Sequence, residues 1–283
     1  MATSWHRKGR LASHPAWTML LLVPLVAADA AASDEPTSPR CSGAHGLWSP
    51  VPDECLGVID TDRPHQTDTP HVVAAGHVQI ESAVAALQLG GDIDDRRGPR
   101  SAHLVLFDDE YRFGVASHVD VEMLFKHADY VPALKAFAPP GPLSVRAKWN
   151  FVEGGGAVPA LTFVPWVFLP VAPAPAESLR AGPLLFLAWE LPLHLELEVN
   201  AGVLFSERPK PAEALVLASA LTYSIGANLG VFVDAYATGW DVALGTGALW
   251  AFARDMQIDV GTYVGLSGQE PAATPFVGFS VRR

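Results

Sequence analysis

The 283-residue chain has little charge, only two cysteines and, beyond residue 30, no long apolar run. Charged residues make up 17% against 49% hydrophobic, where a soluble domain carries about 25% charged. With no stretch of about 18 consecutive apolar residues, spanning helices are excluded from that point on. Apolar composition without apolar runs is what alternating membrane strands produce. The net charge of −11 argues against nucleic acid as a partner. Cys41 and Cys55 are too few for a zinc site, even with His45. They lie close together in a Pro- and Gly-rich segment, and in an oxidising compartment they are expected to pair. Closing that loop of about 15 residues contributes roughly 3 kcal/mol in the chain-entropy estimate.

What is present starts with a leader. His6, Arg7, Lys8 and Arg10 form a basic region, Trp17 to Ala28 an apolar core, and Ala28-Asp29-Ala30 or Ala30-Ala31-Ala32 an A-x-A cleavage site. Residues 1–32 therefore read as a signal peptide. Residues 33–75, broken by Pro36, Pro39, Pro50, Pro52, Pro64 and Pro70, read as an N-terminal arm lying in the periplasm or the lumen. No lipobox precedes Cys41.

From residue 76 to 283, strand-like segments follow one another. Leu193 to Val203 alternates apolar and polar without a slip, and on a strand such alternation gives one apolar and one wet face. About twelve segments can be read: 76–88, 101–107, 111–125, 143–153, 159–171, 183–191, 193–205, 213–224, 227–237, 240–252, 256–267 and 274–283. Tight links are expected at Asp108-Asp109-Glu110, Gly154-Gly155-Gly156, Pro192, Ile225-Gly226 and Arg254-Asp255. The links between them, at 89–100, 126–142, 172–182, 206–212 and 268–273, are longer, with Thr238-Gly239 the exception. Short turns at one end, long loops at the other and an even strand number describe an up-and-down transmembrane β-barrel, all-β and antiparallel, in the outer membrane of a Gram-negative bacterium.

Alternation also assigns faces. Leu143, Val145, Ala147, Trp149 and Phe151 go to lipid, and Arg146 and Lys148 inward. The inward, lumen-lining set is Glu81, Arg112, His118, Asp120, Glu122, Arg146, Lys148, Glu190, His194, Glu196, Glu198, Asp234 and Asp259. Acids outnumber bases, so a water-filled path would favour cations; equally, the charges could pair across strands and fill the interior. Trp48, Trp149, Trp166, Trp189, Trp240 and Trp250 are candidates for interfacial belts. No inward serine has a neighbouring base, so no catalytic group is assigned. The scattered histidines lack ligand spacing, so neither a metal nor a cofactor is expected.

The run Thr61-Asp62-Arg63-Pro64-His65-Gln66-Thr67, then Val72-Val73 and Gly76-His77-Val78-Gln79-Ile80-Glu81, resembles the opening of an outer-membrane β-barrel family of transporters for the phenol meta-cleavage pathway. The resemblance is specific over roughly residues 60–82. It implies a barrel throughout, passive passage of small, apolar or aromatic molecules, and partners limited to outer-membrane lipid, a small-molecule solute and the barrel assembly machinery. Such barrels commonly end on an aromatic; here Phe279 stands nearest the end, before Ser280-Val281-Arg282-Arg283. On physical grounds, Pro64 stiffens the arm and extends Arg63. Asp62, Arg63 and Pro64 are therefore expected to act as a latch, docking by charge-assisted hydrogen bonds onto inward carboxylates such as Glu81. The alternative to a channel is a structural or surface-interaction barrel with a blocked lumen.

Overall fold

The computed structural model describes residues 41, 43–90, 102–132, 135–137, 143–169, 179–206, 215–267 and 270–283. The expected signal peptide, residues 1–32, and most of each long loop lie outside them. Twelve long strands are present: β1 (Val78–Leu89), β2 (Ala102–Ala116), β3 (Val119–Val131), β5 (Leu143–Val152), β6 (Ala160–Leu169), β7 (Arg180–Leu191), β8 (Leu195–Val203), β10 (Leu215–Ile225), β11 (Leu229–Thr238), β12 (Asp241–Ala253), β13 (Met256–Ser267) and β14 (Thr274–Arg282). Two-residue pieces β4 (Ala136–Phe137) and β9 (Phe205–Ser206) extend the outer rim. Each long strand pairs antiparallel with its neighbours in chain order, and β1 closes the ring onto β14, with Gln79 opposite Arg282 and Ala86 opposite Phe276. The result is a closed twelve-stranded barrel, in which no long strand keeps a free edge.

Alternation sets which wall each side chain occupies. On β5, Ser144, Arg146, Lys148 and Asn150 are buried, while Trp149 and Phe151 stand about half exposed on the outer face. On β11 and β13, Val233, Ile258, Val260 and Val264 are exposed while Asp234 and Asp259 are buried. The exposed large apolar residues continue around the ring to Leu217, Leu244 and Leu266. An apolar surface this continuous is not a solvent face; it is the band that lipid covers. Trp149, Phe151, Trp250 and Phe252 stand together in pairs near the tight-turn end, as an interfacial belt requires. Trp166 does not join a belt: it packs indoors against Arg146 and Ser144.

Both ends of the barrel sequence, Val78 and Arg283, meet at the end that also carries the tight turns. The turns are two residues long at 117–118 and 254–255, three at 192–194 and 226–228, and seven at 153–159. One expected turn is wrong. Asp108-Asp109-Glu110 lies inside β2, and the reversal comes at Ser117-His118. The acidic run looks like a loop in sequence, but Glu110 points inward to Arg146, so the strand continues through it. His118 consequently leaves the inward row and sits exposed in the turn beside Glu153. His194 leaves it too: Pro192–His194 forms a short 3-10 turn in which Leu193 and His194 take left-handed backbone angles, and His194 is exposed.

A lipid-facing residue near the middle of a strand tests the wall. Val233→Arg is expected to lower unfolding stability in lipid vesicles by about 2–4 kcal/mol. The same change at the turn residue Asn228 should stay within about 0.5 kcal/mol. Equal losses at the two sites would place Val233 away from hydrocarbon.

Candidate functional site

The arm runs into the barrel and back. It enters at the tight-turn rim, where Arg254 donates to the Asp53 carbonyl (2.7 Å), Ile59 N–H to the Arg254 carbonyl (2.7 Å) and Arg282 to the Gly57 carbonyl (2.7 Å). The disulfide Cys41–Cys55, with Cα atoms 5.5 Å apart, braces this entry. Residues 60–73 then cross the interior. The chain returns along β2, with Gly76 N–H bonded to the Gly114 carbonyl (2.8 Å). Gly114 has no side chain where Ala74 crosses it; a Cβ there would run into the Ala74 carbonyl.

A chain with no secondary structure of its own must find partners for its backbone groups, and here the inward wall supplies them. Val73 N–H donates to Asp120 (2.9 Å), Gln66 N–H to Asp234 (2.9 Å), Asp68 N–H to Asn200 (2.6 Å) and Arg63 N–H to Glu81 (2.9 Å). In the other direction, Asn150 and Thr162 donate to the Pro70 carbonyl, Arg112 to the His71 carbonyl (2.8 Å), Gln79 to the Asp60 carbonyl (2.6 Å) and Tyr263 to the Pro64 carbonyl (2.5 Å).

Asp62 is the centre of the charge arrangement. Its carboxylate accepts from Lys148 (2.5 and 2.6 Å) and Arg146 (3.1 Å), with Arg112 at 3.6 Å. Arg112 also holds Glu81 (3.0 Å), Asp120 (3.1 Å) and Glu122 (3.2 Å). Arg146 also holds Glu122, Glu110 (2.7 Å) and Asp68 (2.7 Å). Burial opposes ionisation of Asp62, but Arg112, Lys148 and Arg146 together outweigh it and hold the carboxyl well below the usual range. Arg63 pairs with Asp259 (3.0 Å), in space left by Gly278, whose missing Cβ would strike both. The two members of the Asp-Arg pair thus go to opposite sides, the carboxylate to wall cations and the guanidinium to a wall carboxylate.

His65 occupies a third corner, with Nε2 3.0 Å from Glu198. Burial disfavours its charged form, yet Glu198 and Asp234 override it and push the imidazole up to about 9. Carboxyl oxygens of Asp62, Glu110 and Glu122 come within 4.8 Å of one another, a spacing that could suit a metal. Arg146 and Lys148 already bond these oxygens, so the protein supplies the positive charge itself. Beside the arm, a cavity of about 160 Å³ is lined by Asp60, Thr61, His65, Glu196, Thr222 and Gln257, among others.

Part of the inner wall beside the arm has a different character. Val164, Leu184 and Phe186, with Trp166 and Val216, form one apolar cluster on the inner wall. Phe232, Tyr263 and Phe276, with Ala86 and Tyr236, form another. Phe186 also lies 5.5 Å from the Lys148 ammonium and 5.9 Å from the Arg146 guanidinium, so the aromatic and charged zones meet there.

Of the residues singled out from sequence, Glu81, Arg112, Asp120, Glu122, Arg146, Lys148, Glu198, Asp234 and Asp259 converge on the arm. Glu196 faces the cavity, Glu190 stands exposed near the rim, and His118 and His194 stand apart. Asn150 and Gln257, which alternation places inward, join the site, and Glu110, Asp68 and Asn200 belong to it without having been singled out. The two asparagines carry a signal, polar residues at inward positions of otherwise apolar strands.

Asp62→Ala should destabilise the folded protein by about 3–5 kcal/mol, because it removes a buried carboxylate that Arg112, Arg146 and Lys148 share. Limited proteolysis within residues 60–73 should speed up in parallel, and unchanged cleavage would show that the arm is held elsewhere. His65 gives a pH signature. Its folded value is raised, so its contribution is complete below about pH 6.5 and is lost as pH rises through about 9. Arm protection should fall over that window in the native chain and not in His65→Gln.

The fold matches solved outer-membrane barrels. An outer-membrane channel from Pseudomonas putida F1 superposes with TM-score 0.54 at 9% identity, covering 78% of this chain and 99% of that one. The KdgM porin bound to oligogalacturonate gives 0.45 at 10% identity over 72% and 98%. Outer membrane phospholipase A from Escherichia coli gives 0.44 at 9% over 78% and 94%. No curated protein matches the chain. A closed barrel with this fold and an apolar outer band is a protein of the Gram-negative outer membrane. The family described as "Putative MetA-pathway of phenol degradation" matches residues 113–282, more than half of the chain, and the chain belongs to that family.

Proposed function

We propose that this barrel is a passive channel for small apolar or aromatic molecules, with the arm as the barrier in its lumen. The observation that carries the reading is the pair of apolar clusters, Val164-Leu184-Phe186 and Phe232-Tyr263-Phe276, on the inside of a membrane barrel. An inner wall that served water and ions alone would be polar there. Aromatic rings beside the path suit a solute with an aromatic face, and the family description names phenol degradation. The cavity between the arm and β8–β12 lies on the route such a solute would follow towards the periplasm. The arm crosses the interior on many hydrogen bonds, which favours the second reading, a barrel whose blocked lumen leaves its loops to do the binding.

The test compares the native chain with Asp62→Ala/Arg63→Ala in planar bilayers and in vesicles loaded to report phenol entry. The channel reading expects low conductance from the native chain, larger openings from the variant and phenol entry several-fold faster than through empty vesicles. Phenol entry at the empty-vesicle rate for both proteins, in preparations shown to be folded, would favour the blocked barrel.

A further inference from the structure

One polar group lies on the wrong side of the wall. Ser82, Asp109, Tyr111 and His127 are bonded together on the outer face of β1–β3. Ser82 donates to Asp109, Tyr111 Oη donates to Asp109 (3.1 Å), and His127 Nε2 lies 2.9 Å from Asp109 and 3.3 Å from Tyr111 Oη. Their direction is fixed by their neighbours. Glu81, Glu110 and Arg112 point inward to the arm network, so Ser82, Asp109 and Tyr111, which alternate with them, point to lipid. Asp109 is the midpoint of Ala102–Ala116, which places the group on the wall between the two rims. Ionisable side chains facing lipid there are costly and mark interaction or transport sites.

Two further features adjoin it. His127 is exposed, and its Nδ1 has no hydrogen-bond partner among the described residues. Phe107, about half exposed, takes a left-handed backbone angle (φ 53°) on the neighbouring strand. For a bulky side chain this is a strained conformation that the surroundings must hold in place.

We propose that the β1–β3 wall is the surface through which the barrel pairs with a second copy of itself inside the bilayer. The group is self-complementary. The Asp109 carboxylate has lone pairs left for one more donor, and the His127 ring has Nδ1 left for one more hydrogen bond. A twofold rotation that brings two such walls together supplies each with the other, as a two-fold interface requires. Phe107 is then the apolar knob that packs on the second copy beside this polar centre, and hydrocarbon no longer faces an unpaired imidazole.

Met123 lies opposite Tyr111 on β3 and is exposed to lipid; Val233 is exposed on the far wall. With the native cysteines paired, Met123→Cys and Val233→Cys each add one free thiol. Oxidation in outer membranes is expected to give a disulfide-linked dimer of this chain at least ten-fold more abundantly from Met123→Cys than from Val233→Cys. Adding Asp109→Leu and His127→Leu to Met123→Cys should reduce that yield ten-fold, in protein whose heat-dependent gel mobility still reports a folded barrel. Dimer yields equal at the two thiols, no dimer from Met123→Cys, or a Met123→Cys adduct with a different protein would each overturn the proposal. Should the triple variant not fold, the comparison of the two single-thiol proteins decides alone.

Discussion

The interior depends above all on Asp62, a carboxylate brought in from outside the barrel sheet. Arg112 on β2 and Arg146 and Lys148 on β5, either side of β3, are wholly buried, and buried cations persist only where anions face them. Glu81, Glu110, Asp120 and Glu122 on the wall supply part of that charge. Asp62 stands where all three cations can reach it. The wall is therefore not a finished surface without the arm, and the arm, lacking strands or helices, is not a structure without the wall. Wall side chains meet many of the backbone groups the arm brings indoors, and the arm's own Asp62 meets Thr69 N–H.

This division separates the barrel into two zones. One is polar, bonded and occupied by the arm; the other is the inner wall lined by aliphatic and aromatic side chains beside it. Phe186 sits at the boundary, its ring against the cations that hold Asp62. An aromatic face beside a cation is favourable in itself, so the boundary needs no gap between the zones. A solute that can cross the first zone meets the second at the group that fastens the arm.

Much of this is legible in the sequence. Alternation on β5, with Arg146 and Lys148 between Val145, Ala147 and Trp149, leaves little choice of face, since the opposite register would put both cations in lipid. The sorting of loop lengths gives the strand count for a similar reason. What misled was local chemistry. Asp108-Asp109-Glu110 has turn composition, yet Glu110 has an indoor partner and Asp109 an outdoor one, and neither is visible along the chain. His118 has the parity of Asp120 but falls where the chain reverses, and parity carries no meaning in a turn. The arm was legible as an element with an Asp-Arg-Pro core. Its partners were not, because the separations between Asp62 and Arg146 or Arg63 and Asp259 are set by closure of the ring and leave no trace in spacing.

The disulfide-braced entry gives the arm one last property. Its interior segment is fastened on one side at Gly57 and Ile59 and on the other at Gly76, which continues into β1. Such a segment can leave the lumen only as a bight of rope held at both ends. Its return is then a first-order event, governed by the effective concentration its short tether imposes. Reclosure should proceed at the same rate in a crowded membrane as in a sparse one.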